Sequence, residues 1–108
     1  GCDYKATRDM NIAVVSIGYN EGYPRLAGQK GATVLLRGKR CPVIGRVCMN
    51  MLMIDLGENQ AVKVGEKVTL VGQDGTEIIT AQDLAKWSES IHYELVTRLN
   101  PQVPRHLV

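Results

Sequence analysis

A chain of 108 residues with a formal charge of +2 is long enough for one domain and too weakly charged to favour nucleic acid or an anionic membrane. Its apolar runs fall far short of the ~20 residues that span a bilayer, and no apolar leader opens the chain. With 44% apolar and 22% charged residues it has the composition of an ordinary globular domain. One Trp, four Tyr and no Phe leave the core to Val, Ile, Leu and Met. The three cysteines, Cys2, Cys41 and Cys48, lack metal-site spacing and read as free thiols in a reducing cytosol.

The first element expected is a β-branched strand over residues 10–17 (MNIAVVSI). A loop shaped by two glycines and a proline follows, Gly18-Tyr19-Asn20-Glu21-Gly22-Tyr23-Pro24-Arg25. Strands over 32–36 and 41–47 make a hairpin about Arg37-Gly38-Lys39. In the next strand, 51–55, Leu52 and Ile54 face one side and Met51 and Met53 the other. A polar turn at 57–60 leads to 62–65 and to an alternating segment at 67–71. Gln73-Asp74-Gly75 has hairpin-turn chemistry, and 77–79 is a short strand. Thr80-Ala81-Gln82-Asp83 fits a capping box opening a helix over 81–87. A second helix starts near Ser90, with Ile91, Leu95 and Leu99 on one face, and Asn100-Pro101 stops it. Val103-Pro104-Arg105 reads as a final extended edge. The expected fold is mainly β, a small closed Greek-key-like barrel with two short helices near the C-terminus.

Three segments can carry chemistry. The loop at 18–25 holds two tyrosines and an arginine, offering hydroxyls and a planar fork for a carboxylate or phosphate, or else rings that cover a barrel end. In Gly45-Arg46-Val47-Cys48-Met49-Asn50-Met51, Met49 either fills the core or lends its backbone N–H to an anion, and Arg46 is readable as a solvated strand-end charge. In Ile91-His92-Tyr93-Glu94, Tyr93 falls off the apolar face and is a surface ring or one aimed outside the domain. His92 has no Cys or His at ligand spacing, so no metal is expected. The basic cluster Arg37, Lys39 and Arg40 lacks interleaved aromatics, which argues against stacking on bases.

These segments together resemble the alanine racemase family. IAVVSIGYNEGYPR is similar to its Gly-Tyr-x-Asp-Gly-Tyr-Pro-Arg signature, and PVIGRVCMNMLMIDL to its Gly-Arg-Val-Cys-Met-Asp segment. VKVGEKVTLVG, SIHYELVTRL and VPR match later segments of the family in order. The resemblance implies the C-terminal β-domain of a pyridoxal 5'-phosphate enzyme that interconverts L- and D-alanine for peptidoglycan precursors. The cofactor lysine would belong to an N-terminal (β/α)8 domain absent from this chain, and the enzyme would be a cytoplasmic head-to-tail homodimer. A serine racemase of the vancomycin-resistance type, whose parent can be membrane-anchored, shares the same pattern. A non-catalytic β-barrel binding module is the alternative from another class.

By that resemblance Met49 offers its main-chain amide to the substrate carboxylate and Tyr19 stands at the substrate entrance. Tyr93 would hydrogen-bond the cofactor phosphate, with Arg46 and Ile91 in the access corridor. Gly1 and Tyr4 match the family's Tyr-Gly-x-x-Tyr segment, which puts the catalytic tyrosine before Gly1 and leaves this chain inactive alone. Three positions depart from the family: Asn20 and Glu21 replace a small residue and an aspartate, and Asn50 replaces an aspartate.

Overall fold

Short runs rich in Val, Ile and Leu build the first sheet. A computed structural model describes residues 2–59 and 61–108; Gly1, in the expected Tyr-Gly-x-x-Tyr match, and Gln60, in the expected polar turn, lie outside the described residues. Strands β1 (Ile12–Val15), β2 (Thr33–Leu36), β3 (Lys39–Ile44) and β4 (Leu52–Asp55) form an antiparallel sheet in the order β1-β4-β3-β2. Leu52 and Ile54 are buried in β4 while Met53 and Asp55 are only partly covered, the alternation its sequence dictates. β1 is shorter than residues 10–17 because it pairs only with the four residues of β4. β3 stops at Ile44, its last residue paired with β4, rather than at Val47.

Two-residue turns join the hairpins. Between β2 and β3, Arg37 and Gly38 both have positive φ, 52° and 72°, the signature of a type I′ turn that matches strand twist. Glycine takes its place without cost. Arg37 is held there by Glu66, at 2.6 and 2.9 Å, and by the Ala61 carbonyl at 3.0 Å. β5 (Gly72–Asp74) and β6 (Glu77–Ile79) form a second hairpin, turning at Gly75-Thr76, one step beyond the expected position. This hairpin is tied to the β2–β3 hairpin: Gly38 N–H donates to Asp74 at 3.0 Å, and Arg40 donates to Glu77 at 3.0 Å and to the Ile78 carbonyl at 2.8 Å. Arg37 and Arg40 of the basic cluster are thus engaged within the fold.

The alternating segment at 67–71 makes one isolated bridge, in which Leu35 and Thr69 exchange hydrogen bonds of 2.8 and 2.9 Å. A four-residue strand turns only alternate backbone groups outward, so β2 has room for little more. The ladders therefore form a four-stranded sheet and a two-stranded sheet. The fold is mainly β with two short helices.

Helix α1 (Ala81–Trp87) has the expected bounds and the expected cap. Asp83 N–H donates to Thr80 Oγ1 at 3.0 Å, and Thr80 N–H donates to the Asp83 carboxylate at 2.8 Å. Thr80→Ala is expected to lower stability by about 1 kcal/mol, read as a shift in urea midpoint at constant slope.

Helix α2 (His92–Thr97) corrects the sequence reading. Ile91 caps it with extended backbone (φ −115°, ψ 153°), so it is off the helix face, and only Leu95 of the expected Ile91/Leu95/Leu99 stripe is buried. The helix ends before Asn100-Pro101. Residues 103–105 form no strand: two nearby prolines remove ladder donors, and Arg105 folds back to donate to the carbonyls of Asn100 and Val103.

The core also differs from the expected composition. Leu35, Leu36, Leu52, Ile54, Ile79, Val34, Val47 and Cys41 are its fully buried side chains. Methionine contributes little; Met49 and Met51 are exposed. Among the described residues, no helix is long and apolar enough to cross a membrane, and no cluster of His, Cys, Asp and Glu could hold a metal ion.

Candidate functional site

The chain leaves β1 toward Gly18, where the first glycine-shaped loop begins. Its turn is closed by Glu21, Gly22 and Tyr23 amides donating to the carbonyls of Gly18, Tyr19 and Gly18 at 3.1–3.2 Å. The second loop precedes β4: Cys48 N–H donates to the Met51 carbonyl at 2.9 Å, leaving Met49 and Asn50 at the tip. The two loops are joined backbone to backbone. Tyr19 N–H donates to the Cys48 carbonyl at 3.0 Å and Asn20 N–H to the Met49 carbonyl at 2.8 Å. Gly18 is glycine for want of space, since a Cβ there would lie inside 3.0 Å of the Cys48 and Met49 carbonyl oxygens.

This contact orients a donor. No peptide bond among the described residues is cis, so each N–H points opposite to the carbonyl of its own peptide unit. The Cys48 carbonyl points at Tyr19; the Met49 N–H of that unit must point away from the Tyr19 loop. The Met49 amide donates to no backbone carbonyl among the described residues. Hydrogen bonding at the carbonyl polarises the same peptide unit and makes its N–H the better donor. Met49 is 54% exposed, which overturns core filling as its role.

Glu21 secures both loops. Its Oε2 accepts from Gly18 N–H at 2.8 Å, and its Oε1 accepts from Asn50 Nδ2 at 2.9 Å and Asn20 Nδ2 at 3.1 Å. These bonds, that from Asn50 foremost, hold the Glu21 carboxyl below its ordinary range. Such a carboxylate stabilises the fold above its unfolded pKa, and that contribution is lost as pH falls through its lowered folded value. Wild type should therefore exceed Glu21→Gln in stability near neutrality, with the gap closing as pH falls from the ordinary carboxylate range through the lowered folded value. Chemical denaturation across pH checks this.

The other candidates are distributed unevenly. Tyr19 is 42% exposed and shares a cleft of about 420 Å³ with Tyr23, Arg25, Glu94 and Arg98. Tyr93 is 68% exposed, its ring centroid 4.2 Å from that of His92, and it lies outside that cleft. Ile91 is exposed at the start of α2. Arg46 pairs with the Asp3 carboxylate, so it is not simply a solvated charge. Tyr23 parts company with Tyr19: it is 4% exposed, its hydroxyl has no hydrogen-bond partner among the described residues, and burial pushes its pKa up. The sequence reading left the two tyrosines together, as ligand-facing hydroxyls or as rings covering a barrel end; the structure separates them, and Tyr23 belongs to the core. The sequence reading also missed the role of Glu21 and Asn50, which are 29 positions apart. Their departure from the family pattern was the only sign.

A β-rich domain with a directed backbone donor beside two paired loops is a class of structure that the comparisons then specify. The family described as the alanine racemase C-terminal domain matches residues 1–107. The alanine racemase of Methylacidiphilum infernorum is 44% identical over 106 residues, 98% of this chain and 27% of that protein. The crystal structure of alanine racemase from Bacillus anthracis with bound L-Ala-P superposes with a TM-score of 0.80 at 41% identity, covering 90% of this chain and 24% of that one. The alanine racemase from Oenococcus oeni gives a TM-score of 0.90 at 26% identity, covering all of this chain and 29% of that one. The chain belongs to the alanine racemase C-terminal domain family, and it spans about a quarter of the length of these relatives.

Proposed function

We propose that this chain is the C-terminal domain of an alanine racemase, supplying the Met49 amide N–H to the carboxylate of the amino-acid substrate. The observation that carries this reading is the Met49 peptide unit itself. Its carbonyl is anchored on Tyr19, and its N–H is turned away from that anchor with no backbone partner among the described residues. A fixed, unspent backbone donor suits an anion. The relatives named above are alanine racemases, one of them with bound L-Ala-P, which supports an alanine substrate.

Tyr93 is proposed to bind the phosphate of pyridoxal 5'-phosphate. Its ring is exposed, and a phenol can donate to a phosphate oxygen. When bound, that cofactor supplies the electron sink that acidifies the α-C–H of an amino acid. This chain's residues bind and orient: Met49 fixes the carboxylate, Tyr19 narrows the entrance, and Arg46 and Ile91 line the approach. No proton transfer at the α-carbon is assigned to them. The cofactor lysine is placed in an N-terminal (β/α)8 domain, and the working unit is a head-to-tail homodimer. Exposed Val14, Tyr19, Tyr93, Val96 and Leu99 support large contacts with such domains. The β5–β6 hairpin, tied to the β2–β3 hairpin through Gly38 and Arg40, supports closure of the sheet into the family's small barrel. The proposed setting is the bacterial cytoplasm, with D-alanine made for peptidoglycan; three free cysteines suit a reducing compartment.

The test is a substrate panel on the full-length protein carrying this chain, scored for racemisation with added pyridoxal 5'-phosphate. Alanine should be turned over fastest, and the 108-residue chain alone should turn over nothing. Preference for serine would assign the serine-racemase reading instead. No turnover of any amino acid, with no cofactor-lysine domain upstream, would leave a binding module.

A further inference from the structure

Glu21 and Asn50 stand 29 positions apart, and the fold brings their side chains into contact. A carboxylate only accepts hydrogen bonds, so Asn50 and Asn20 both present their NH2 groups to Glu21. The same carboxylate takes the Gly18 amide on its other oxygen. It therefore spans from the start of the first loop to the tip of the second, next to Met49. An aspartate at position 50 would set a second carboxylate against Glu21 where Asn50 Nδ2 now lies at 2.9 Å. The two side chains are complementary: the acid reaches across from the first loop, and the amide of the second donates to it.

We propose that the Glu21–Asn50 pair is a positioning device that fixes the orientation of the Met49 amide toward the substrate carboxylate. This rests on the proposed function for its ligand, but the fixing itself is a property of this chain. Glu21 and Asn50 act through the Cys48–Asn50 loop and are positioning residues.

The experiment exploits reversal of the pair. In Glu21→Gln the charge-assisted bonds of the carboxylate are lost, and Asn50 keeps a contact only by turning its amide to present Oδ1 to the new NH2. In the double variant Glu21→Gln/Asn50→Asp, the new amide accepts from Gly18 with its oxygen and donates to the new carboxylate with its nitrogen. In the full-length protein with pyridoxal 5'-phosphate, Glu21→Gln and Asn50→Asp should each raise KM for alanine about five- to tenfold while kcat changes less than about twofold. The double variant should return most of the loss. In the 108-residue chain, the Met49 amide resonance should shift in Glu21→Gln and return in the double variant. Single and double variants equally impaired, or an unmoved KM or Met49 resonance in Glu21→Gln, overturn the proposal while leaving the racemase reading intact. If the wild-type protein racemises no amino acid, the functional reading falls and the Met49 resonance alone decides the positioning claim. If Glu21→Gln does not fold, the double variant is compared with Asn50→Asp: a lower KM in the double supports the pair, and an equal one overturns it.

Discussion

Gly18→Ala is expected to lose about 3 kcal/mol or more of folding stability, at the upper end of what overpacking costs. A methyl at this position meets two carbonyl oxygens of the opposing loop, and backbone cannot step aside as a flexible side-chain tip can. The loops must part, which removes the Tyr19–Cys48 and Asn20–Met49 bonds and frees the Met49 peptide unit. Urea unfolding should show the loss, and hydrogen exchange should show faster Tyr19 and Asn20 amides. Gly31→Ala is the comparison: its φ is +78° but a Cβ there meets nothing within 4 Å. It should lose only the ~1 kcal/mol of a left-handed alanine. Equal losses at the two positions would mean that close approach of the loops is not what Gly18 provides.

The second large effect is expected at Ile54. This side chain is fully buried in β4, opposite Ala13 of β1 on one side and Val43 of β3 on the other. Ile54→Ala removes the packing that joins both neighbours and should cost about 3 kcal/mol, whereas Ile54→Val should cost about 1 kcal/mol. Domains of this kind are stable by only about 5–15 kcal/mol, so the alanine variant gives up a substantial share. The urea midpoint should fall with little change in slope. A midpoint unmoved by Ile54→Ala would place the core elsewhere.

What could be read in the sequence follows how local each signal is. The capping box at Thr80 and Asp83 involves residues three apart, and α1 begins and ends where that pattern sets it. The alternation of Leu52 and Ile54 against Met53 was legible for the same reason. The segment at 67–71 alternates equally well, yet it makes one bridge because its partner, β2, has few outward-facing groups. That limit belongs to the partner and is invisible in the segment. Ile91 was misplaced because four-residue spacing cannot reveal that the backbone is still extended there.

The site divides along the same line. The Tyr19 and Met49 segments could be picked out by composition and by family resemblance, but not their backbone pairing across about thirty residues. Tyr19 and Tyr23 look equivalent in sequence, and only the turn between them sends one outward and the other into the core. Asn20, Glu21 and Asn50 looked like three separate departures. In the fold they form one hydrogen-bonded group, which no single-position comparison would pair.

The most direct test of the Met49 assignment is a crystal structure of the full-length protein with pyridoxal 5'-phosphate and an alanine-derived carboxylate. The Met49 nitrogen should lie about 3 Å from a carboxylate oxygen, with the Cys48 carbonyl still on the Tyr19 amide. A carboxylate bound elsewhere, with the Met49 N–H facing protein or solvent, would contradict the role given to this domain.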